Sequence, residues 1–215
     1  MTTTRQRLLV FLKAPRAGAV KTRLAQVIGA ADASTAYREL AETLLDTLSP
    51  LPFVELCFTP DNALVEIKPW LRRDWLARPQ GEGDLGSRLT KAFEDVFAEG
   101  ADRVVIIGSD CPTVTVDDIE RAWSALRTHD LALGPATDGG YWLIGLRAPQ
   151  PLLFAGITWS SEKVFSETME RAKRGGLRVH LLREQADVDT AADWEWWKRR
   201  PSLTSRCRTS SSPRE

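Results

Sequence analysis

The sequence predicts an α/β fold, in which a mostly parallel central sheet carries helices on both faces. Two observations lead to this prediction. Short apolar runs alternate along the chain with segments of helical periodicity, and parallel strands need crossover connections of that kind. Most residues with unusual chemistry follow directly after the apolar runs. Ligands of parallel sheets bind outside the carboxyl ends of the strands, so we expect one site at that edge.

Six strands are predicted from short apolar runs. The clearest is the run Val-Val-Ile-Ile at 104–107, which ends abruptly at Gly108, and the first run ends at a loop that contains Pro15 and Gly18. Residues 72–80 are too polar for a buried strand. In chain order, the predicted strands cover residues 7–12, 53–58, 104–107, 131–133, 141–146 and 177–182.

Seven helices are predicted between these strands. The longest, residues 32–48, places a broad apolar face on one side, and two prolines end it. That face comprises Tyr37, Leu40, Ala41, Leu44, Leu45 and Leu48. The other predicted helices begin near residue 20 or cover residues 63–70, 86–97, 117–127, 161–173 and 191–198.

The length of 215 residues fits one domain, which we place at residues 1–198. Residues 199–215 are basic and low in apolar residues, and this pattern predicts a disordered tail. The formal net charge is zero, yet residues 198–215 carry six cations and one anion, so the body is net negative. A net-negative body argues against a general nucleic-acid binder.

The cysteines and the apolar runs indicate a cytoplasmic protein. The three cysteines, Cys57, Cys111 and Cys207, are odd in number and widely spaced, which excludes a disulfide framework and suits a reducing compartment. The run at residues 8–12 is too short for a signal peptide or a membrane span. We therefore expect neither nucleic-acid nor membrane partners, and the oligomeric state stays open.

The loop after the first strand is the main candidate for phosphate binding. Residues 13–23 hold four cations, Lys13, Arg16, Lys21 and Arg23, around Gly18. The glycine allows close approach of the backbone, and the next helix would aim free N–H groups into the same space. The alternative is a solvated basic loop, which the position at a strand's carboxyl end disfavours.

Two familiar motifs do not explain this chain. A P-loop requires glycine directly before the Lys-Ser/Thr pair, whereas Val20 precedes Lys21 here. Residues 81–86 match the pattern GxGxxG, but no buried strand is predicted before them, and they lie far from the first strand–helix turn. A dinucleotide-binding fingerprint is therefore not expected.

Carboxylates follow two predicted strands. Asp110 comes directly after the strand at 104–107, and Asp187 and Asp189 follow the last strand. Mg²⁺ is typically held by one or two carboxylates together with water and substrate phosphates, so Asp110 with Asp189 predicts a metal site. The alternative for Asp189 is a helix N-cap, a part that Thr190 could also play.

The segment from Asp138 to Tyr141 joins two predicted strands. An Asp-Gly pair is typical of a hairpin turn. The preceding residues 134–137 extend the irregular stretch, so a loop that brings bare backbone near a substrate is equally open.

Five motifs, taken in order, resemble one bacterial family. They are Lys13-x-Pro15-x-x-Gly18-x-x-Lys21-Thr22-Arg23-Leu24, Gln80-Gly81-x-Gly83-Asp84-Leu85-Gly86-x-Arg88, Gly108-Ser109-Asp110-Cys111-Pro112, Gly134-Pro135-Ala136-x-Asp138-Gly139-Gly140-Tyr141 and Asp187-Val188-Asp189-Thr190. Over residues 6–195 the chain resembles the DUF2064 group, also described as "transferase 1, radical-SAM/selenodomain-associated" or arsenosugar-biosynthesis glycosyltransferase-like. That group is similar to the phospholactate and molybdenum-cofactor guanylyltransferases of the GT-A superfamily. The resemblance implies a single Rossmann-like GT-A, or nucleotide-diphospho-sugar transferase, fold.

The resemblance also implies roles for individual residues. Asp110 would be the metal-binding aspartate for Mg²⁺ or Mn²⁺, with Asp189 as its partner and Asp187 as a weaker candidate. The nucleotide would contact Lys13, Pro15, Gly18, Lys21, Arg23, Gln80, Gly81 and Asp84. The acceptor would contact Asp138, Gly139, Gly140 and Tyr141.

These observations favour a metal-dependent nucleotidyltransferase that uses a nucleoside triphosphate and a small anionic acceptor. Lys21, Arg23 and Asp110 are the predicted catalytic residues. Ser109-Asp110-Cys111 replaces the Asp-x-Asp of typical glycosyltransferases, and the basic loop suits a triphosphate. The alternatives are a glycosyltransferase that uses a nucleoside-diphosphate sugar and a non-catalytic nucleotide-binding subunit.

Overall fold

A computed structural model describes residues 5–200 of the chain, so the tail predicted at 199–215 lies outside it from residue 201 onward. Seven strands form one sheet in the order β3-β2-β1-β4-β6-β5-β7. Their bounds are β1 Gln6–Lys13, β2 Val54–Thr59, β3 Leu76–Pro79, β4 Arg103–Gly108, β5 Leu131–Pro135, β6 Tyr141–Leu146 and β7 Val179–Leu181.

The direction of the strands confirms the mostly parallel sheet. Every neighbouring pair is parallel except β6 with β4 and β6 with β5. Six strands therefore end at one edge of the sheet, and β6 alone runs the other way. Consequently the segments that follow β1, β4 and β7 meet at a common edge.

Helices cover both faces of this sheet, as predicted. Their bounds are α1 Thr22–Ile28, α2 Ala30–Leu48, α3 Leu64–Ile67, α4 Leu85–Ala98, α5 Val116–Ala125, α6 Val164–Arg174 and α7 Ala191–Lys198, with 3-10 turns at Lys68–Trp70 and Pro151–Leu153. One core packs α2 and α5 against the sheet, and a second core packs α4 on the other face. Between residues 5 and 200, no helix has the length and apolarity that a membrane crossing requires.

A smaller cluster joins α1, α2 and α7 beside the sheet edge where the parallel strands end. It contains Leu24 of α1, Leu40 of α2, Trp194 of α7 and Val188 from the loop before α7, all of them buried. Burial of these apolar side chains fixes the two segments that carry the predicted phosphate-loop cations and the last aspartates.

Residues 72–80 form no buried strand, as the sequence predicts, but Leu76–Pro79 forms an edge strand, β3, that was not predicted. None of its four residues is buried, so it shows no apolar run. Arg78 anchors it through the buried carboxylate of Glu55 on β2 and donates to Glu99 Oε1 at 2.8 Å. The glycine-rich segment at 81–86 therefore does connect a strand to a helix, although at the edge of the sheet.

The segment between β5 and β6 is a hairpin connection, so the turn interpretation of Asp138-Gly139 is correct. Gly140 N donates to Asp138 Oδ1 at 2.9 Å, and Phe165 N donates to Gly139 O at 2.9 Å. Gly139 has φ of +86°, and a Cβ there would lie 2.3 Å from Glu162 O. The hairpin tip is thus packed directly against the backbone that precedes α6.

This close approach predicts unequal costs for two alanine substitutions. Gly176, which follows α6, has φ of +67° with nothing near its Cβ position, so Gly176→Ala should cost about 1 kcal/mol for the left-handed backbone alone. Gly139→Ala adds the clash with Glu162 and should cost about 3 kcal/mol in the free energy of unfolding, measured by urea denaturation. Equal costs for the two variants would contradict the packed hairpin.

Candidate active site

Three charged side chains from distant parts of the sequence meet at the edge where the parallel strands end. Lys21 Nζ lies 3.2 Å from Asp110 Oδ1 and 3.4 Å from Asp189 Oδ1. Arg23 Nη1 lies 3.5 Å from Asp189 Oδ2. The predicted convergence of Asp110, Asp189 and the basic loop is confirmed by this geometry.

Burial distinguishes the lysine from its partners. The Lys21 side chain is 2% exposed, whereas Asp110 and Asp189 are 48% and 42% exposed. A buried ammonium group needs compensating charge, and the two carboxylates supply it. Each carboxylate keeps part of its surface towards solvent, so both stay accessible to a ligand.

Lys21 also has an unusual backbone conformation. It is the residue before α1, with φ of 47° and ψ of 48°, in the left-handed region that is disfavoured for residues other than glycine. Strained backbone of this kind concentrates at functional sites, where the surrounding structure enforces it. In this conformation the Lys21 side chain enters the protein between the carboxylates of Asp110 and Asp189.

The N-cap alternative for Asp189 is resolved in favour of its neighbour. Thr190 caps α7, and its side chain accepts from Asp193 N while Asp193 accepts from Thr190 N. The Asp189 carboxylate is therefore free of capping and faces Lys21 and Arg23. Val188 N donates to Asp110 O at 3.1 Å, which joins the two aspartate-bearing loops through their backbones.

Asp187 is a half-buried carboxyl group at the same edge. Burial, followed by the charges of Asp110 and Asp138, raises the pKa of its carboxyl to about 7. Within residues 5–200, however, no group of three or more His, Cys, Asp or Glu side chains is arranged to hold a metal ion. Asp110 and Asp189 are the carboxylates that pair with Lys21, and Asp187 is a half-buried neighbour of both.

The phenol of Tyr37 contacts the loops of this site, whereas the sequence pattern predicts only that Tyr37 lies on the apolar face of a helix. Lys13 N donates to Tyr37 Oη at 2.8 Å, and Tyr37 Oη shares a 2.9 Å hydrogen bond with Ser109 Oγ. Tyr37 is 2% exposed. The sequence signal for these hydrogen bonds was a tyrosine on the apolar face of a helix, because a buried hydroxyl needs a hydrogen-bond partner.

An ion pair fixes the segment that leads to the last aspartates. Arg183 donates to both carboxylate oxygens of Asp118 at 2.8 and 2.7 Å, and to Thr113 O at 3.0 Å. Asp118 also accepts from Thr115 in the capping box of α5. Burial alone would raise the pKa of the Asp118 carboxyl, but the hydrogen bonds from Arg183 and Thr115 lower it.

The cations of the basic loop are used differently from one another. Arg16 is paired with Glu66 at 2.5 Å and donates to Asn62 Oδ1 at 3.2 Å, so it ties the loop to α3. Lys13 is exposed. Gly18 has φ of +82° and open space around it, which leaves the backbone accessible. Ser34 Oγ donates to Pro15 O at 2.6 Å and so holds the loop against α2.

The predicted nucleotide contacts after β3 mainly have structural partners. The buried Gln80 amide donates to Leu12 O and Cys57 O, and Gly81 N donates to Asp61 Oδ1. Asp84 is the N-cap of α4 and accepts from Ser87 N at 2.8 Å. It also lines a cavity of about 440 Å³ between α4 and residues 151–156.

The predicted acceptor residues lie at the β5–β6 hairpin. Asp138 is exposed at the tip and close enough to raise the pKa of Asp187, so it faces the same edge. The Tyr141 phenol is buried, which raises its pKa, and the ring packs against the core of the α4 face. Contacts of Asp138, Gly139, Gly140 and Tyr141 with an acceptor stay a prediction.

Comparisons with known proteins agree with this architecture. Residues 47–161 match the family model described as "Uncharacterized protein conserved in bacteria (DUF2064)". A solved structure from Desulfovibrio desulfuricans G20, described as a nucleotide-diphospho-sugar transferase, is 37% identical with a TM-score of 0.87, covering 97% of this chain and 92% of that chain.

Two curated relatives carry guanylyltransferase names. Phosphoenolpyruvate guanylyltransferase of Sphaerobacter thermophilus is 29% identical over 189 residues, which cover 84% of this chain and 87% of that protein. 3-phospho-D-glycerate guanylyltransferase of Phenylobacterium zucineum is 29% identical over 141 residues, which cover 61% of this chain and 62% of that protein.

The Arg183–Asp118 pair predicts a large difference between two adjacent substitutions on α5. Asp118→Ala removes the Asp118 half of the α5 capping box and both carboxylate contacts of Arg183, and should lower the free energy of unfolding by on the order of 2 kcal/mol. Asp117→Ala removes only an exposed pair with Arg121 and should cost about 0.4 kcal/mol. Urea denaturation at pH 7 measures both, and a cost for Asp118→Ala as small as that of Asp117→Ala would refute the role of the pair.

Proposed function

Because this chain belongs to the bacterial DUF2064 family and is an enzyme of the nucleotide-dependent transferase fold, we propose that it transfers a nucleotidyl group from GTP to a small phosphorylated acceptor. The relatives support this class of reaction through their guanylyltransferase names. The donor base and the acceptor are inferred from those names, and the side chains that act in the reaction are inferred from the geometry of the site.

The observation that carries the proposal is the burial of Lys21 between Asp110 and Asp189. In this position the ammonium group lies where a triphosphate and its counterion could bind. The same residue begins α1, whose N-terminal backbone borders the glycine turn of the basic loop. Cation, accessible backbone and carboxylates therefore share one edge of the sheet.

The donor set fits a divalent cation of the Mg²⁺ kind. Asp110 and Asp189 offer hard oxygen ligands that are half-exposed and share one neutralising charge, and Mg²⁺ is commonly held by one or two carboxylates and substrate phosphates. When bound, such a cation supplies charge neutralisation and orientation of the phosphates.

In the proposed reaction, an oxygen of the acceptor attacks the α-phosphorus of GTP. A new P–O bond forms, the bond from the α-phosphorus to the oxygen bridging the β-phosphorus breaks, and pyrophosphate leaves with the electron pair. Lys21 and Arg23 neutralise the charge that develops on the departing pyrophosphate. Asp110 and Asp189 would hold the divalent cation that orients the triphosphate, and positioning of this kind supplies much of the acceleration.

An anionic acceptor removes the need for a general base. The relatives are named for phosphoenolpyruvate and 3-phospho-D-glycerate, both of which carry a phosphate oxygen that is already deprotonated at pH 7. Cys111 next to Asp110 does not serve as a base or nucleophile in this scheme, because burial raises the pKa of its thiol to about 11.

Glycosyl transfer from a nucleoside-diphosphate sugar is the second candidate. The description of the Desulfovibrio structure as a nucleotide-diphospho-sugar transferase favours it. The two reactions release different products from the same cleft, so product analysis separates them.

Substitution of Asp110 should abolish turnover without unfolding the protein. Asp110→Asn removes one carboxylate from the Lys21 site, and we expect kcat to fall at least ~100-fold, as for loss of a major electrostatic contact in other enzymes. The melting temperature should change by only a few degrees, because the Asp110 side chain is 48% exposed and Asp189 still pairs with Lys21. Pyrophosphate release from GTP with phosphoenolpyruvate or 3-phosphoglycerate is the assay.

The matched control for Asp110→Asn is Asp117→Asn, an exposed aspartate seven residues later on α5. It should retain wild-type turnover. Near-wild-type turnover by Asp110→Asn would refute the proposed role of the carboxylate.

The donor class follows from the products released by the wild-type enzyme. With Mg²⁺ and an acceptor panel, we expect pyrophosphate from nucleoside triphosphates and no nucleoside diphosphate from nucleotide sugars. Chromatography of both products measures this. Release of nucleoside diphosphate from a nucleotide sugar, with none of the triphosphates consumed, would assign glycosyl transfer instead.

A further inference from the structure

We propose that Tyr37 is a positioning residue, whose hydroxyl holds the basic loop and the Asp110 loop at the separation that lets Lys21, Asp110 and Asp189 share one ligand. This inference rests on the proposed function for its consequence in catalysis. Its structural part stands on hydrogen bonds that can be tested without any substrate.

The hydroxyl of Tyr37 joins the ends of two central strands. Lys13 is the last residue of β1, and its N–H donates to Tyr37 Oη at 2.8 Å. Ser109 follows β4 directly, and its Oγ lies 2.9 Å from the same oxygen. Since Tyr37 Oη accepts from Lys13, its own hydrogen is available to donate to Ser109 Oγ. One oxygen thus links the residue that opens the basic loop to the residue that precedes Asp110.

The surroundings of Tyr37 make this link rigid. Its ring packs edge-on against Trp70 at a centroid distance of 6.4 Å, and Trp70 Nε1 donates to Glu42 Oε1 at 3.0 Å. The side chain extends from the middle of α2, whose apolar face is buried along its length. A ring held on this face has little freedom to swing, so the hydroxyl fixes both loops relative to α2.

The link stays neutral over the range of pH in which the protein would work. Burial, with the nearby charge of Asp110, raises the pKa of the Tyr37 phenol well above its ordinary value. The hydroxyl therefore keeps the proton that it donates.

The third loop is connected to the same frame through Asp110. Val188 N donates to Asp110 O, so a shift of the Asp110 loop would carry the segment that holds Asp189. Among residues 5–200, the Tyr37 hydroxyl forms hydrogen bonds with Lys13 N and Ser109 Oγ and with no charged side chain. It acts on the site through these loops and is not itself a catalytic residue.

The first test measures loop mobility without substrate. Tyr37→Phe keeps the ring against Trp70 and deletes only the hydroxyl. Hydrogen exchange followed by mass spectrometry should show faster exchange, by several-fold, in peptides that cover residues 13–21 and 108–112. Peptides from β4 and α4 should exchange as in the wild type. Unchanged exchange in both loops would overturn the proposal whatever the enzyme catalyses.

The second test measures ligand use. In Tyr37→Phe we expect the Mg²⁺ concentration for half-maximal turnover and the KM for GTP each to rise several-fold, and calorimetric affinity for Mg²⁺–GTP to fall by the same factor. Ser109→Ala removes only the bond between Tyr37 and Ser109 and leaves the one from Lys13 N, so it should give a smaller shift in the same direction. The double variant should behave like Tyr37→Phe, because Tyr37→Phe already deletes the bond that Ser109→Ala removes.

A stability-matched control separates positioning from general loosening. Val96→Ala truncates a fully buried residue of α4 in the other core, away from the two loops. It should lower the melting temperature at least as much as Tyr37→Phe and leave the Mg²⁺ and GTP dependence unchanged. Equal shifts in Val96→Ala would overturn the positioning role, whereas a wild-type enzyme inactive with every nucleotide would overturn the proposed function and leave the exchange test decisive.

Discussion

The site depends on one ammonium group, which is buried between two carboxylates from distant parts of the sequence. Lys21 is 2% exposed, and Asp110 and Asp189 within salt-bridge distance both compensate its charge. The carboxylates in turn lie at an edge where burial, followed by the charges of Asp110 and Asp138, raises the pKa of Asp187 to about 7. In the proposed function, a phosphate and its counterion enter this set of charges by exchange of partners.

The fold brings this group together by the direction of its strands. The loops after β1, β4 and β7 emerge at the same edge because six of the seven strands are parallel. The buried cluster around Trp194 and Leu24 holds α7 and α1 side by side, so Asp189 and Lys21 meet from adjoining helix starts. The antiparallel strand β6 places the hairpin at Asp138 on that edge, where the acceptor is expected.

The sequence allowed the prediction of much of this arrangement. A carboxylate directly after the strongest apolar run and a basic loop after the first run were sufficient to place Asp110 and Lys21 at one edge. The edge strand β3 was missed because none of its residues is buried, so it leaves no apolar run, and the pairing of Arg78 with Glu55 is visible only in the structure. Arg16 could not be separated from the other loop cations, since only the structure shows its pairing with Glu66. The part played by Tyr37 was hidden for a similar reason, because periodicity assigns a residue to a helix face and does not show what its hydroxyl contacts.

A crystal structure of the protein with Mg²⁺ and a non-hydrolysable GTP analogue would test the central claim most directly. The account predicts that the triphosphate lies between the basic loop and the two aspartates, with Lys21 Nζ in contact with a phosphate oxygen and the cation on Asp110 and Asp189. A nucleotide bound elsewhere, with Lys21 still paired to both carboxylates, would contradict it.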